Sequence, residues 1–337
     1  MTVLASGSRG NSTVIASATT RILVDAGLSC RELLRRMELV GEDPHALDAI
    51  LITHEHLDHV SGLAVLARRL KIPVFFTEQT HRAWVRMLTP RKTMSYAAWL
   101  DLMQSEKEAR AAEIAGSHAP AHTVLQAVNA ATATEVDGLS AADSGDLRMD
   151  AADEEAVETA GKAKADPSFL PEVEYFKAGQ RFCIGDIDVN PFTIPHDAAD
   201  PCGFVFHARH ESCRMAVATD LGYIPPNVKA ALQSVDVLLL ESNHDLEMLK
   251  DGPYPWSVKQ RVMSRVGHLS NHAAAEFLLR DYDGGAHTIV LGHLSNANNL
   301  PELAKMAAEQ AIGDRMSLLG NRIVLAEQDT PLQAICV

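Results

Sequence analysis

The chain has 337 residues, of which 47% are hydrophobic and 22% charged, with a formal net charge of −14. No apolar run approaches the ~20 residues that span a bilayer, and MTVLASGSRGNS has no basic segment ahead of a long apolar one, so neither a membrane span nor a secretory leader is expected. The five cysteines (Cys30, Cys183, Cys202, Cys213, Cys336) are scattered and form no C-x-x-C pair, which speaks against a disulfide framework or a thiolate zinc site and points to a reducing cytoplasm.

Taken in chain order, TVLA, TVIAS, RILVDAG and AILITH read as strands, VSGLAVLARRL as a helix and IPVFF as a further strand. The composition then changes. Residues 105–170 are rich in Ala, Ser, Thr and acid, and poor in the large apolar side chains that offset ordering entropy. They carry 13 acidic and 5 basic residues, a net of −8 that leaves −6 for the rest of the chain. The overall charge therefore excludes no polyanionic partner. A mostly disordered insertion within one domain is expected there.

Strand-like runs resume with RFCIG, IDVNPFTIPH, GFVFHA and CRMAVATD. Helical stretches (PPNVKAALQS, PWSVKQRVMSRV, NHAAAEFLLRDY, LPELAKMAAEQ) then alternate with the strands VDVLLLES and HTIVLGH. No internal repeat is visible. Strands first and helices later, twice over, fit an α/β protein of two packed sheets with helices outside, a four-layer αββα sandwich.

Five apolar runs finish on a His or Asp: RILV at Asp25, AILIT at His54, FTIP at His196, MAVAT at Asp220 and TIVLG at His293. In open sheets, sites form outside the carboxyl ends of strands. The stretch ILITHEHLDHVSG adds His56, Asp58 and His59 directly after one of these ends. Imidazole and carboxylate together suit zinc, manganese or iron. These side chains are too many for one tetrahedral ion and suit two ions sharing a carboxylate, about 3.5–4 Å apart.

The pattern H-x-H-x-D-H resembles the signature of the metallo-β-lactamase fold hydrolases. LASGSRGNST, ILVDAGLSCREL, IPHDAADPCGFVF, ATDLGYIP, ESNHDLEML, GPYPWSVKQRVMSRVGHLSN and LGHLSNANNLPELA together resemble the YycJ/WalJ group of that superfamily, over most of residues 1–100 and 170–326. The resemblance implies a metal-dependent 5'-to-3' exonuclease acting on double-stranded DNA. It assigns His54, His56 and His196 to one ion and Asp58, His59 and His293 to the other, with Asp220 bridging. Asp25 would orient the ligand loop by hydrogen bonds. Diiron flavoproteins of this fold carry Glu where His56 stands, so His56 favours hydrolysis over oxygen or NO reduction.

The mechanism implied is in-line attack by a hydroxide held between two divalent ions, Zn²⁺ or Mn²⁺ or Fe²⁺. Asp58 joins the catalytic group, and the leaving oxygen needs a proton. His268 in VGHLSN and His244 in ESNHD are the candidate donors, and the structural alternative for each is a histidine that bridges loops. Ser270 or Asn271 would cap the helix after His268. SGSRGNS, Ser6 to Ser12, either cradles phosphate with Arg9 or forms a tight turn. Ser295, Asn296 and Asn298 either bind substrate or belong to the helix start, and Asn299 is expected to cap it. The modest basic clusters are TPRKTM, Thr89 to Met94, and Lys259, Arg261 and Arg265. Arg261 and Arg265 share a helix face that either meets a DNA backbone or is solvated. Two other readings stand beside the nuclease: a small-molecule hydrolase cleaving cyclic phosphodiesters or thioesters, and a regulatory protein with a structural or sensory metal. An open two-ion site argues against the last.

Overall fold

The computed structural model describes residues 1–89, 166–313 and 320–336. The chain divides into two units, Met1–Leu88 with Asp143–Val337, and Thr89–Ala142. All elements described here belong to the first. The expected insertion lies outside the described residues up to 165. At its far end Leu170 is buried among core side chains.

Thirteen strands among the described residues form two sheets. The first contains β1 (Thr2–Ala5), β2 (Ser12–Ala16), β3 (Arg21–Val24), β4 (Ala49–Leu51), β5 (Val74–Phe76) and β6 (Val173–Tyr175), in that order across the sheet. β1, β2 and β3 are antiparallel neighbours, whereas β3, β4, β5 and β6 run parallel. The second contains β7 (Phe182–Ile184), β8 (Ile187–Thr193), β9 (Cys202–Ala208), β10 (Cys213–Ala218), β11 (Val237–Glu241), β12 (Thr288–Gly292) and β13 (Arg322–Leu325). Here too the early strands, β7 to β10, are antiparallel, and β10 to β13 are parallel.

The parallel strands are covered on both faces, so they read as continuous apolar runs with little alternation. In β3, Ile22 and Val24 face the second sheet while Leu23 faces outward, and all three are buried. Between the sheets, Val3, Ile15 and Leu51 meet Val189, Phe204, Val217 and Leu239. Outside the first sheet lie α1 (Cys30–Leu39), α2 (Leu57–Val60), α3 (Leu63–Leu70) and α4 (Glu78–Leu88), with Leu33, Met37, Leu66 and Trp84 packed inward. The second sheet is covered by α5 (Pro226–Ala231), α8 (Asn271–Arg280) and α9 (Pro301–Ile312), through Val228, Phe277 and Ala308. This is the four-layer αββα sandwich. The short helices α6 (Leu246–Asp251) and α7 (Trp256–Val262) form a satellite cluster around Leu249, Val258 and Val262.

Local chemistry sets several boundaries. Ser29 caps α1, accepting from the Glu32 amide in an S-x-x-E arrangement. Ser270, one of the two expected caps, accepts from the Ala273 amide at the start of α8. After β13 the chain crosses to the free edge of β1. The Ser6 amide donates to the Glu327 carbonyl, Leu332 to Val3 and Ile335 to Met1. That strap covers an otherwise exposed sheet edge.

Candidate metal centre

The carboxyl ends of the parallel strands of both sheets open toward one place. β3 ends beside Asp25, β4 leads into Thr53 and His54, β10 into Asp220 and β12 into His293. Asp25, Asp220 and His293 all have left-handed backbone, with φ of 61°, 62° and 56°. Non-glycine residues rarely adopt it, at a cost of about 1–2 kcal/mol each. Three strand ends share this turn because each strand must stop abruptly to present a polar side chain at the rim of a buried sheet.

The loop after β4 is held from below. A Cβ at Gly27 would lie 1.7 Å from the Asp58 carbonyl oxygen, so only glycine lets the two backbones approach. The Asn11 amide donates to that same carbonyl at 2.7 Å. The Asn11 side chain reaches Asp58 Oδ2 and His59 Nε2, both at 3.1 Å, and closes its own turn through Gly7. SGSRGNS is therefore a tight turn that braces Asp58, and Arg9 is paired with Asp329 at 2.6 Å. Asp25 accepts from the Thr53 amide at 2.9 Å and lies 2.8 Å from His59 Nδ1. Both bonds orient the ligand loop.

Four overlapping groups of ligand atoms converge here: His54–His56–His196, His54–His59–Asp220, Asp58–His59–His293, and Asp220–Glu241–His268–His293. His56 Nδ1 and His196 Nε2 stand 3.2 Å apart. Asp220 reaches both sides, with Oδ1 3.9 Å from His196 Nε2 and Oδ2 3.5 Å from His59 Nε2. His54 Nε2, His293 Nε2 and Asp220 Oδ2 are buried with no hydrogen-bond partner among the described residues. Such orphaned atoms are costly unless something else pairs with them. Converging lone pairs of this kind fit divalent cations.

The electrostatics agree. Burial first, then neighbouring histidines, pushes His54 well below the ordinary imidazole value, and burial pushes His196 down to about 4. Both rings are neutral donors at neutral pH. Burial acts the same way on His59 and His293, but nearby carboxylates outweigh it and hold both well above the ordinary value. Asp58 and Asp220 remain ionised: burial would raise them, and the surrounding histidines bring them well below the carboxylate range. The cluster thus calls for positive charge around Asp58 and Asp220, which a divalent cation supplies when it displaces the protons.

Glu241 is absent from the sequence expectations. It is fully buried at the end of β11. Its Oε1 lies 2.8 Å from His268 Nδ1 and 3.0 Å from His293 Nδ1, and its Oε2 accepts from the Leu221 and Leu269 amides. The signal was present, since VDVLLLE is one more apolar run that ends on a ligand-type residue. His268 is drawn into the cluster by this contact, with its ring 5.2 Å from His196 and 5.1 Å from His293. His244 is buried but belongs to none of the four groups. Its Nδ1 has no hydrogen-bond partner among the described residues, and burial lowers it to about 4.

Other expectations change. Asn299 does not cap α9, whose N-cap is Leu300 with no side-chain bond. Asn299 is buried instead and ties loops together, donating to the Ser242 and Asn243 carbonyls and accepting from Asn271. Ser295 accepts from the Asn298 amide, and Asn296 is exposed. The basic face at Lys259, Arg261 and Arg265 does not form. The helix stops at Val262, Lys259 is buried and donates to the Lys250 carbonyl, Arg261 pairs with Asp197 at 2.6 Å, and Arg265 lies over the Tyr223 ring. Of TPRKTM, residues 90–94 lie outside the described residues.

A two-sheet αββα sandwich with His and Asp gathered at the strand ends is the architecture of a metallo-hydrolase. The metallo-beta-lactamase superfamily matches residues 5–293, and the chain belongs to that superfamily, whose fold typically binds two divalent ions. It is 29% identical over 330 residues to the exodeoxyribonuclease YycJ of Bacillus anthracis, covering 97% of this chain and 94% of the relative. It is 30% identical over 304 residues to the exodeoxyribonuclease WalJ of Streptococcus pneumoniae, covering 90% and 84%. Among solved structures, the metallo-beta-lactamase fold protein YhfI from Bacillus subtilis matches 99% of both chains with a TM-score of 0.55 at 13% identity, a likeness of fold. Among the described residues no helix is long and apolar enough to cross a membrane.

Proposed function

We propose that this chain is a two-metal phosphodiesterase that degrades double-stranded DNA from the 5' end. One observation carries the metal reading: Asp220 stands between two sets of ligand atoms, His54–His56–His196 and Asp58–His59–His293. In this reading those sets hold one ion each and Asp220 serves both. The ions, when bound, lower the pKa of water toward neutrality and offset charge on a phosphate. The DNA reading is supported by the names of two relatives that each align with nine-tenths or more of this chain.

The remaining work falls to the chain's own residues. Asp25 and Asn11 fix the rings and carboxylate that face substrate. His268 Nδ1 donates a hydrogen bond to Glu241 Oε1, which leaves Nε2 to serve the leaving oxygen. Burial alone would lower the His268 pKa, but the Glu241 carboxylate outweighs it and the net shift is upward. The upward direction is the one that suits a general acid near neutral pH. His244 has the opposite shift, which suits a neutral, structural ring better than a proton donor.

The test is incubation of metal-loaded protein with end-labelled duplex DNA, beside a nitrophenyl phosphodiester and a thioester. Stepwise loss of label from the 5' end is expected. Turnover of the thioester with no DNA hydrolysis would establish the small-molecule alternative instead.

A further inference from the structure

The parallel strands β3 to β6 place successive strand ends along one rim of the first sheet. β4 leads to His54. Two strands further along, the ends of β5 and β6 open into a cavity of about 530 Å³ between Thr77, Tyr175, Lys177, Gln180, Arg181 and Asp200. Neighbouring strands lie about 4.8 Å apart, so β6 runs about 10 Å to the side of β4. The second sheet contributes the other wall. Asp200 lies four residues after His196. The loop between them is pinned at the centre by the Ala199 amide on Glu55 Oε1, 2.8 Å, and at the cavity by Thr80 Oγ1 on the Asp200 carbonyl, 3.3 Å.

We propose that this cavity is a nucleotide subsite, which seats a base of the bound DNA strand beside the metal centre; the proposal rests on the DNA-hydrolysing reading above. A volume of this size accommodates a small ligand or single nucleotide.

Its walls have the required chemistry. Tyr175 is 56% exposed, yet its ring is fixed. Its hydroxyl lies 2.7 Å from His81 Nδ1, and His81 stacks on Phe76 and Trp84. Phe182, also lining the cavity, is stacked between Phe75 and Phe176 and supplies an apolar edge, so the face open to a base is that of Tyr175. A rigid aromatic surface stacks a base at little entropic cost, and every base offers a π-face. Lys177 is exposed and has no ion pair among the described residues, so it is placed to meet a phosphate; Arg181, 66% exposed, is held at the rim by Asp188 at 3.8 Å and Asn190 at 3.0 Å. Glu78, at the same rim, is neutralised by Arg82 at 2.5 Å. Gln180 and the Asp200 carboxylate supply donors and acceptors of the kind that read base edges.

The test is fluorescence anisotropy with a labelled duplex whose 5' end carries a short single-stranded tail and phosphorothioate linkages, on the intact metal-loaded protein. Tyr175→Ala is expected to weaken binding about 5- to 150-fold, the range for loss of one stacked base. Tyr175→Phe, which keeps the ring, should bind within about threefold of wild type. Lys177→Ala should lower the slope of log K against log salt by about 0.7–0.9, one phosphate contact. If Tyr175→Ala fails to fold, Lys177→Ala on its exposed side chain carries the test. Wild-type protein that hydrolyses DNA while Tyr175→Ala and Lys177→Ala bind it unchanged overturns the subsite and leaves the nuclease reading intact. Wild-type protein that neither binds nor hydrolyses DNA overturns both.

Discussion

At the scale of single residues, the chemistry turns on what surrounds each ring nitrogen. His268 and His293 share one acceptor, Glu241 Oε1, while Glu241 Oε2 is satisfied by two backbone amides. His268→Ala is expected to keep its metal and lose DNA turnover by about two to four orders of magnitude. A nitrophenyl phosphodiester, whose leaving group needs no proton, should be restored in large part. Equal loss on both substrates would mean that His268 positions substrate and donates no proton. Glu241→Gln keeps the shape of the side chain but cannot accept from both rings and both amides. It should lower metal affinity by about 10–100-fold, read by titration of the stripped protein. Unchanged affinity would separate Glu241 from the centre. The candidate ligands were legible because His54, His196, Asp220 and His293 each end a buried apolar run and His56, Asp58 and His59 follow directly on one of them. Glu241 obeys the same rule, but as the last residue of its strand it carries no motif that separates it from an ordinary strand end. Asn11 left no such mark, since its contacts to Asp58 and His59 join residues 47 and 48 positions apart.

At the scale of elements, α1 is anchored by a buried cation. Arg36 is 5% exposed and donates to the Leu4 carbonyl at 3.0 Å and the Gln328 carbonyl at 2.6 Å. It thereby joins the helix to β1 and to the strap that covers the β1 edge. Arg36→Ala strands two buried carbonyls and should cost about 3 kcal/mol in urea unfolding with an unchanged m-value. Glu32 completes the anchor: the Arg35 hydrogen bond, with Arg36 beside it, holds its carboxyl down to about 2. The folded value is depressed, so this contribution is full above the ordinary value of 4.5 and is lost as pH falls toward 2. Its size is about 1 kcal/mol, because the pair is largely solvated. Glu32→Gln should abolish that part of the acid sensitivity, and a variant with the wild-type pH profile would refute the assignment. Most strands were legible from apolar runs. β6 was not: two of its three residues are exposed, so an edge strand of this kind carries no apolar signature. The helix expected over PWSVKQRVMSRV ends at Val262, since the chain must turn there for Val266 and Gly267 to meet Asp197 and His196.

At the scale of the whole molecule, both sheets follow one plan of antiparallel strands giving way to parallel ones, and the centre lies where the parallel ends of both sheets meet. The two halves share no visible sequence repeat, so this likeness lives in topology alone. The layer order was legible from the order of strand and helix signals, which depends on burial and not on contacts between distant residues. Strand order within each sheet was not. The composition of residues 105–170 predicts that a chain lacking 108–165 keeps its metal and its turnover, since long loops add little closure entropy. A deletion that folds yet loses all turnover would make that segment part of the active enzyme.

The central claim is that seven side chains, His54, His56, Asp58, His59, His196, Asp220 and His293, hold two ions with Asp220 serving both. Metal content by mass spectrometry, on protein purified without chelator, tests it most directly when wild type and Asp220→Ala are compared with their rates of phosphodiester hydrolysis. About two equivalents are expected in the wild type, with loss of at least one ion and most hydrolysis in Asp220→Ala. A single equivalent in the wild type, or an Asp220→Ala variant that keeps both ions and full turnover, would contradict it.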